Sequence, residues 1–445
     1  MDSSRFPPEP SAATPLVSAL QAKLVRQIDQ GAMYDEMYAT VVEMGEELSE
    51  QNVVKVDDMI TALKNDDGNQ MTLLLHTIPR PVLRSIVMRM VAYDFWERDS
   101  DNRMLLYDRE GPGAYIVTLS VLNRRGRAWS VKENKEIIEY LELYAHAIET
   151  YEREGDSYGD SQLVEHDRTS MQVAANIDEV YQKTDTASGG IENKSDSESS
   201  GPSWWQEPRF ASSSKTNKSR SVRHLIQMLR KRNIANVDEN EPAKQSVCMV
   251  GNSDDIEKRT QNHRLISALS NTAHCWGLLV SCLKYAGLEP EETIIPVCKA
   301  WKAEHINMAE ILVTVLAGSL ISVGGLNVEQ AGTKTEENPP HARVFESGRI
   351  HVWRSNPWFH ENLAHSNPSL SKLLEAEQEL DEIDMDALEA KVEEVRNLND
   401  KLEKQLAELD AIEERQAKEE EAVDKARELS TLLADNPDIM DALSF

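Results

Sequence analysis

The residues best suited to chemistry are histidines and cysteines. His360 and His365 bracket the hexapeptide HENLAH. A zinc peptidase helix needs its two histidines four residues apart, so that both reach one metal from one face. These two are five apart, roughly 140° around a helix, which argues against a metalloprotease. His274, Cys275, Cys282, Cys298 and His305 also carry zinc-compatible atoms. Cys275 and Cys282, however, stand two helical turns apart on an apolar stretch, and packed thiols are the expectation there. The four cysteines, with Cys248 the first, fall within 51 residues and form no regular framework, as expected of free thiols in a reducing compartment. The sequence contains no G-x-x-x-x-G-K-[ST], G-x-G-x-x-G, G-x-S-x-G or C-x-x-C. No metal, cofactor or enzymatic activity is expected.

Charge gives a stronger signal. The formal net charge is −29. Residues 371–445 hold 24 acids and 9 Lys or Arg, and residues 151–207 hold 13 acids and 4 Lys or Arg. These stretches carry −24 of the total, so the acidity belongs to a linker and a tail. Between them, Pro208–Val237 has eight Lys or Arg and no acid. Lys215, Lys218 and Arg220 sit on a Ser-rich lead. Arg223, Arg230, Lys231 and Arg232 sit on a short amphipathic helix whose Val222, Leu225, Ile226 and Leu229 face a core. Such an arm and helix can hold phosphates, each cation replacing a condensed counterion. Arg124, Arg125 and Arg127 form a second cluster at a hairpin tip, NRRGRAW, with Trp129 beside them for stacking. Three other readings of the island stay open: a nuclear localisation signal, pairing with the protein's own acidic tail, and a solvated helix face.

These residues must be positioned by a mainly α fold. The patterning predicts a flexible N-terminus (1–11) and a first helical region (12–153) with a small antiparallel β-meander of RMLLY, AYIVTLSVL and RAWSV. Ser130 and Glu133 form a capping box ahead of a long helix. Residues 154–220 read as a disordered acidic, Ser-rich linker, with a short helix possible at SMQVAANIDEVYQ. Trp204 and Trp205 in that linker are either a docking peptide or packed back on a domain, and Ser195 and Ser197 are weak phosphorylation candidates. A second helical region (221–365) is predicted with helices at 222–231, 256–285, 290–304 and 308–323, Gly324 and Gly325 ending the last, and a hairpin at VFESGRIHVWR. The N-terminus has no secretory signal character and the longest apolar run, Ile311–Leu326, is short for a membrane span, so the expected location is the cytosol or nucleus.

Residues 370–433 predict a long charged coiled-coil helix. Leu388, Val392, Val395, Asn399, Leu402, Leu406 and Leu409 alternate d and a positions, with Asn399 at a. The alternative is a solvated single helix held by local ion pairs. The last residues, 434–445, form an acidic-hydrophobic tail, either a docking ligand or a frayed helix end. Two helical regions, basic elements near their junction, a coiled-coil arm and an acidic tail are the general design of self-assembling nucleic-acid-packaging proteins such as viral nucleoproteins. No family motif is matched residue by residue. The expected function is therefore non-enzymatic binding of single-stranded RNA backbone by a homo-oligomer, with a docking partner for the tail or for Trp204 and Trp205. The alternative is an oligomeric coiled-coil scaffold, of the viral phosphoprotein or cellular adapter kind, that does not bind RNA.

Overall fold

Capping boxes open two of the helices, and the one at Ser130 stands where the sequence placed it. Ser18 accepts from the Gln21 N–H while the Gln21 side chain returns to Ser18, and this reciprocal cap opens α1 (Ala19–Asp29). Ser130 and Glu133 do the same for α7 (Val131–Glu154). Between them run α2 (Tyr34–Ser49), α3 (Asp57–Lys64), α4 (Gln70–His76), α5 (Arg80–Val87) and α6 (Val91–Phe95). After α7 come α8 (Glu165–Ala187), α9 (Arg220–Lys231), α10 (Ile256–Gln261), α11 (His274–Tyr285), α12 (Ala303–Ala317), α13 (Ala342–Arg354), α14 (Pro357–Ala364) and α15 (Met385–Asp435). Among the described residues three strands complete the fold: β1 (Gly113–Val121), β2 (Cys248–Ser253) and β3 (Pro290–Lys299). The structure is a computed structural model. It describes residues 16–435 except 51–52, 67–68, 98–100, 156–162, 188–201, 213–216, 236, 262–264, 266–273, 333–341, 355–356, 367–371 and 373–384. The N-terminal segment 1–11, Ser195, Ser197, Lys215 and nearly all of the 434–445 tail lie outside the described residues. The chain divides into two units, Met1–Leu370 and Ser371–Phe445.

The expected class holds: the protein is mainly helical, with a small three-stranded antiparallel sheet and a long C-terminal helix. The origin of the strands differs from the expected meander. Only the middle segment, now β1, is a strand, and its neighbours come from the second helical region in the order β2-β1-β3. Ile116 pairs with Val250 on one side and Ile295 on the other. The two flanking segments are occupied elsewhere. Asp101–Leu105 winds into a 3₁₀ turn, where the Arg103 guanidinium donates to the Phe95 carbonyl at 2.6 and 3.0 Å. RAWSV is spent on the α7 cap, with Trp129 buried and donating to Asn134 Oδ1 at 2.9 Å. All nine β1 residues are buried, as befits a central strand covered on both faces, and α12 and α6 pack against it.

A sheet shared in this way means that the two predicted globular regions fold as one unit with one core. The expected linker also differs. Its α8 buries Met171, Ala174, Ile177 and Tyr181 at helical spacing and packs on α7 and α11. The short helix expected at SMQVAANIDEVYQ lies within it, and of its described acids Glu165 and Glu179 are exposed while Asp167 and Asp178 are buried. Trp205 packs back and is buried, close to Tyr151, and Phe210 lies against Tyr144 and Tyr181.

Three further expectations change. Residues 290–299 are a strand rather than a helix. Thr293, Ile294, Ile295 and Val297 are β-branched, and Pro290 stands at the strand's first position, where no ladder donor is lost. The VFESGRIHVWR segment is helical α13, burying Phe345, Gly348 and Val352 at intervals of three to four, with Trp353 beside the last. α12 ends at Gly318 (φ 55°), six residues before the predicted stop.

Candidate nucleic-acid interface and assembly helix

The basic island docks as expected, through Val222, Leu225, Ile226, Met228 and Leu229 of α9. α9 lies against α7 and α11. Three of the island's cations, however, find acids within the fold, and two find backbone carbonyls. Arg223 grips Glu149 of α7 with Nη2 at 2.8 and 2.9 Å and Nε at 3.1 Å. Partial burial works to raise the Glu149 pKa, but hydrogen bonds from Arg223 and Ser219 outweigh it and hold the carboxyl below its ordinary value. Arg230 pairs with Glu142, seven residues earlier on α7, and Lys218 pairs with Glu207. Lys231 donates to the Ser322 carbonyl at 2.7 Å. Arg232 is buried and donates to the Gln245 carbonyl at 2.6 Å. Burial and the nearby Arg89 cation lower its pKa to about 10. Arg232 is therefore a core residue and does not reach a phosphate.

The hairpin tip is likewise satisfied from within. Arg124 forks onto Glu133 at 2.8 and 2.9 Å, and these bonds push the Glu133 carboxyl down to about 2. Arg127 donates to Glu241 at 3.0 Å and stands 5.5 Å over the Tyr93 ring. Trp129 is buried, so the expected stacking surface is not presented. Arg125, in a left-handed conformation (φ 52°), is exposed and has no acid partner among the described residues.

Beside the start of α9 lies a cleft of about 780 Å³ that sequence spacing did not indicate. Three chain segments build it: Val53, Val54 and Lys55; Ser212, Asn217, Arg220, Ser221 and His224; and Val328, Glu329 and Gln330. Arg220 and Lys55 are exposed, and neither meets an acid among the described residues. Partial burial, then Arg220, lowers the His224 pKa below its ordinary value. The first turn of α9 holds no acid, and the Ser219 hydroxyl donates to Glu149 at 2.8 Å instead of capping the helix. Of these residues only Arg220 was singled out by composition. Lys55 carried no signal, because its partners in the cleft are about 160 residues or more away in the chain.

The zinc-compatible residues are dispersed. Cys275 and Cys282 lie in α11, Cys298 in β3, and all four cysteines are buried. Burial pushes Cys248 up to about 11 and Cys275 and Cys298 to about 12. His305 packs edge-on to Trp301 and pairs with Gln70 at 2.9 Å. His360 hydrogen-bonds the Trp353 carbonyl.

In the second unit, α15 runs for 51 residues. Val392, Val395, Leu402, Leu406 and Leu409 are 46–56% exposed along it, and Leu398 and Ile412 flank them, also half exposed. Asn399 lies among them, exposed, while the Leu388 side chain is outside the described residues. Glu414–Lys418 and Glu421–Lys425 pair at 2.8 and 2.6 Å, as their spacing predicts. No protein-family model, curated protein or solved structure matches this chain.

Proposed function

We propose that this protein is a non-enzymatic structural protein that assembles with copies of itself through α15. One observation carries this reading: apolar side chains stand about half exposed at five of six successive a and d positions of a 51-residue helix, Asn399 holding the sixth. A lone helix does not keep such a stripe in water at no cost. Each leucine that pairs gains roughly 1.5–3 kcal/mol on full burial, and a partner helix of the same sequence offers matching a and d positions. Light scattering of the whole chain and of a chain ending at Leu370 tests it. The whole chain should be oligomeric and the shortened one monomeric; equal masses per protomer would remove α15 from assembly.

Binding of single-stranded RNA is the second reading, favoured by Arg220 and Lys55 at the cleft and by Arg125, exposed cations without an acid partner among the described residues. It now rests on fewer cations than composition suggested. Arg223, Arg230, Arg124 and Arg127 would each have to exchange a carboxylate for a phosphate. The slope of log affinity against log salt counts the phosphates engaged, at about 0.7 per contact for a single strand. A slope of about two, from three contacts, fits this reading, and no affinity at low salt would exclude it.

A further inference from the structure

We infer that the cleft at the start of α9 is a nucleotide-binding site. Its volume, about 780 Å³, falls within the range of small-molecule sites, about 300–1,000 Å³. Its lining matches the three chemical parts of a nucleotide. Arg220 and Lys55 offer two cations to a phosphate, and neither is neutralised by an acid among the described residues. This sets them apart from Arg223 and Arg230, each held by an acid of α7. Glu329, the one acid of the lining, and Gln330 offer acceptors to sugar hydroxyls. An acid in a site for a bare phosphate would only repel it; beside a sugar it has a partner. Val53, Val54 and Val328 supply an apolar wall for a base face. Ser212, Asn217 and Ser221 add hydroxyl and amide groups for base edges.

The site needs neither α15 nor self-assembly. It deepens the RNA reading if the nucleotide is one unit of a strand, and stands apart from it if the nucleotide is free. Both sources share the same chemistry, and the test separates them.

The full-length protein is titrated with inorganic phosphate, adenosine and uridine monophosphates, and a fluorescent single-stranded oligoribonucleotide. Binding is read by calorimetry and anisotropy. A mononucleotide should bind more tightly than inorganic phosphate. R220A and K55A should each weaken it about tenfold or more, as expected for loss of a charged hydrogen bond, while K132A leaves it unchanged. Because a variant can fail for reasons of folding, Lys55 acetylation is also followed by mass spectrometry in the unaltered protein. Bound nucleotide should slow it, with Lys132 as the unprotected control. If only the oligonucleotide binds, and R220A and K55A bind it as well as the unaltered protein, the cleft assignment is overturned while RNA binding survives elsewhere. If phosphate binds as tightly as nucleotide, the sugar and base assignments are overturned. If neither mononucleotide nor oligonucleotide binds, the site and the RNA reading both fail.

Discussion

Arg223 and Glu149 face each other across α9 and α7, with the guanidinium Nη2 2.8 and 2.9 Å from the two carboxylate oxygens. Seven residues away on each helix, Arg230 meets Glu142. The two helices therefore run antiparallel with their charges in register. A region that looked like a basic island in the sequence becomes a zipper, because its counter-charges lie 74 and 88 residues away in the chain. Pairing with the protein's own acidic tail was one of the open readings. The acids in question belong to α7, not to the tail.

The first prediction follows from that pair. Both side chains are about 40% exposed, so the bond is screened and its coupling energy should be about 0.5–1 kcal/mol. A double-mutant cycle with R223A and E149A, read by urea unfolding, measures it. Coupling near zero would make the pair a bystander to the docking of α9.

Assembly makes a second prediction. Leu402 and Leu406 are adjacent d and a residues at the middle of the exposed stripe. Replacing both with Ser should shift the whole chain to monomer in light scattering at micromolar concentration, while its helical circular dichroism falls only in the α15 contribution. E414A with K418A removes an exposed intrahelical pair and should leave the mass unchanged. If both double variants stay oligomeric, another surface holds the copies together.

The third prediction concerns pH. Burial raises Asp178 to about 6, against hydrogen bonds from the Arg209 N–H at 3.0 Å and the Tyr144 hydroxyl at 2.8 Å. Between its ordinary value, 3.8, and about 6, the folded state binds more protons at this site than the unfolded state. Its contribution to stability is therefore lost as pH rises through that window. His76 works the other way. Burial lowers it to about 4, so stability falls as pH drops from 6.5 towards 4. D178N removes the first effect and keeps the second. Relative to the unaltered protein it should fare better at pH 7 than at pH 4.5, by about 1–2 kcal/mol. Parallel urea curves at the two pH values would show no such difference if Asp178 titrates normally.

Local signals in this chain were legible and distant ones were not. The Ser130 cap, the apolar face of α9 and the α15 stripe each depend on residues within a few turns, and these were visible in spacing. The strand pairing of Ile116 with Val250 and Ile295 joins segments more than 100 residues apart, and a nearby hairpin looked like the simpler choice. α8 was legible only over SMQVAANIDEVYQ, because the acidic, Ser-rich composition around that stretch read as linker. The cleft was legible only at Arg220. Lys55 and Glu329 acquire their meaning from a neighbour that the fold, not the sequence, provides.

The last prediction tests how tightly the end of α12 is specified. Arg89 is buried, adopts a left-handed conformation (φ 57°), and donates to the Val323 carbonyl at 3.0 Å. There it lies near the C-terminus of α12, where helix carbonyls favour a cation. The guanidinium fits because two glycines make room for it. A Cβ on Gly324 would stand 2.1 Å from Arg89 Nη1, and one on Gly318 2.5 Å from Nη2. Gly324 also has φ 133°, a conformation that L side chains rarely adopt. G324A should thus add a clash with a buried, hydrogen-bonded group to backbone strain, and cost about 3 kcal/mol or more. Gly31 separates the two effects: it has φ 73° and open space around its Cβ position, so G31A should cost only about 1 kcal/mol. Equal losses in thermal or urea unfolding would mean that Arg89 moves aside freely and that the glycines serve the backbone alone.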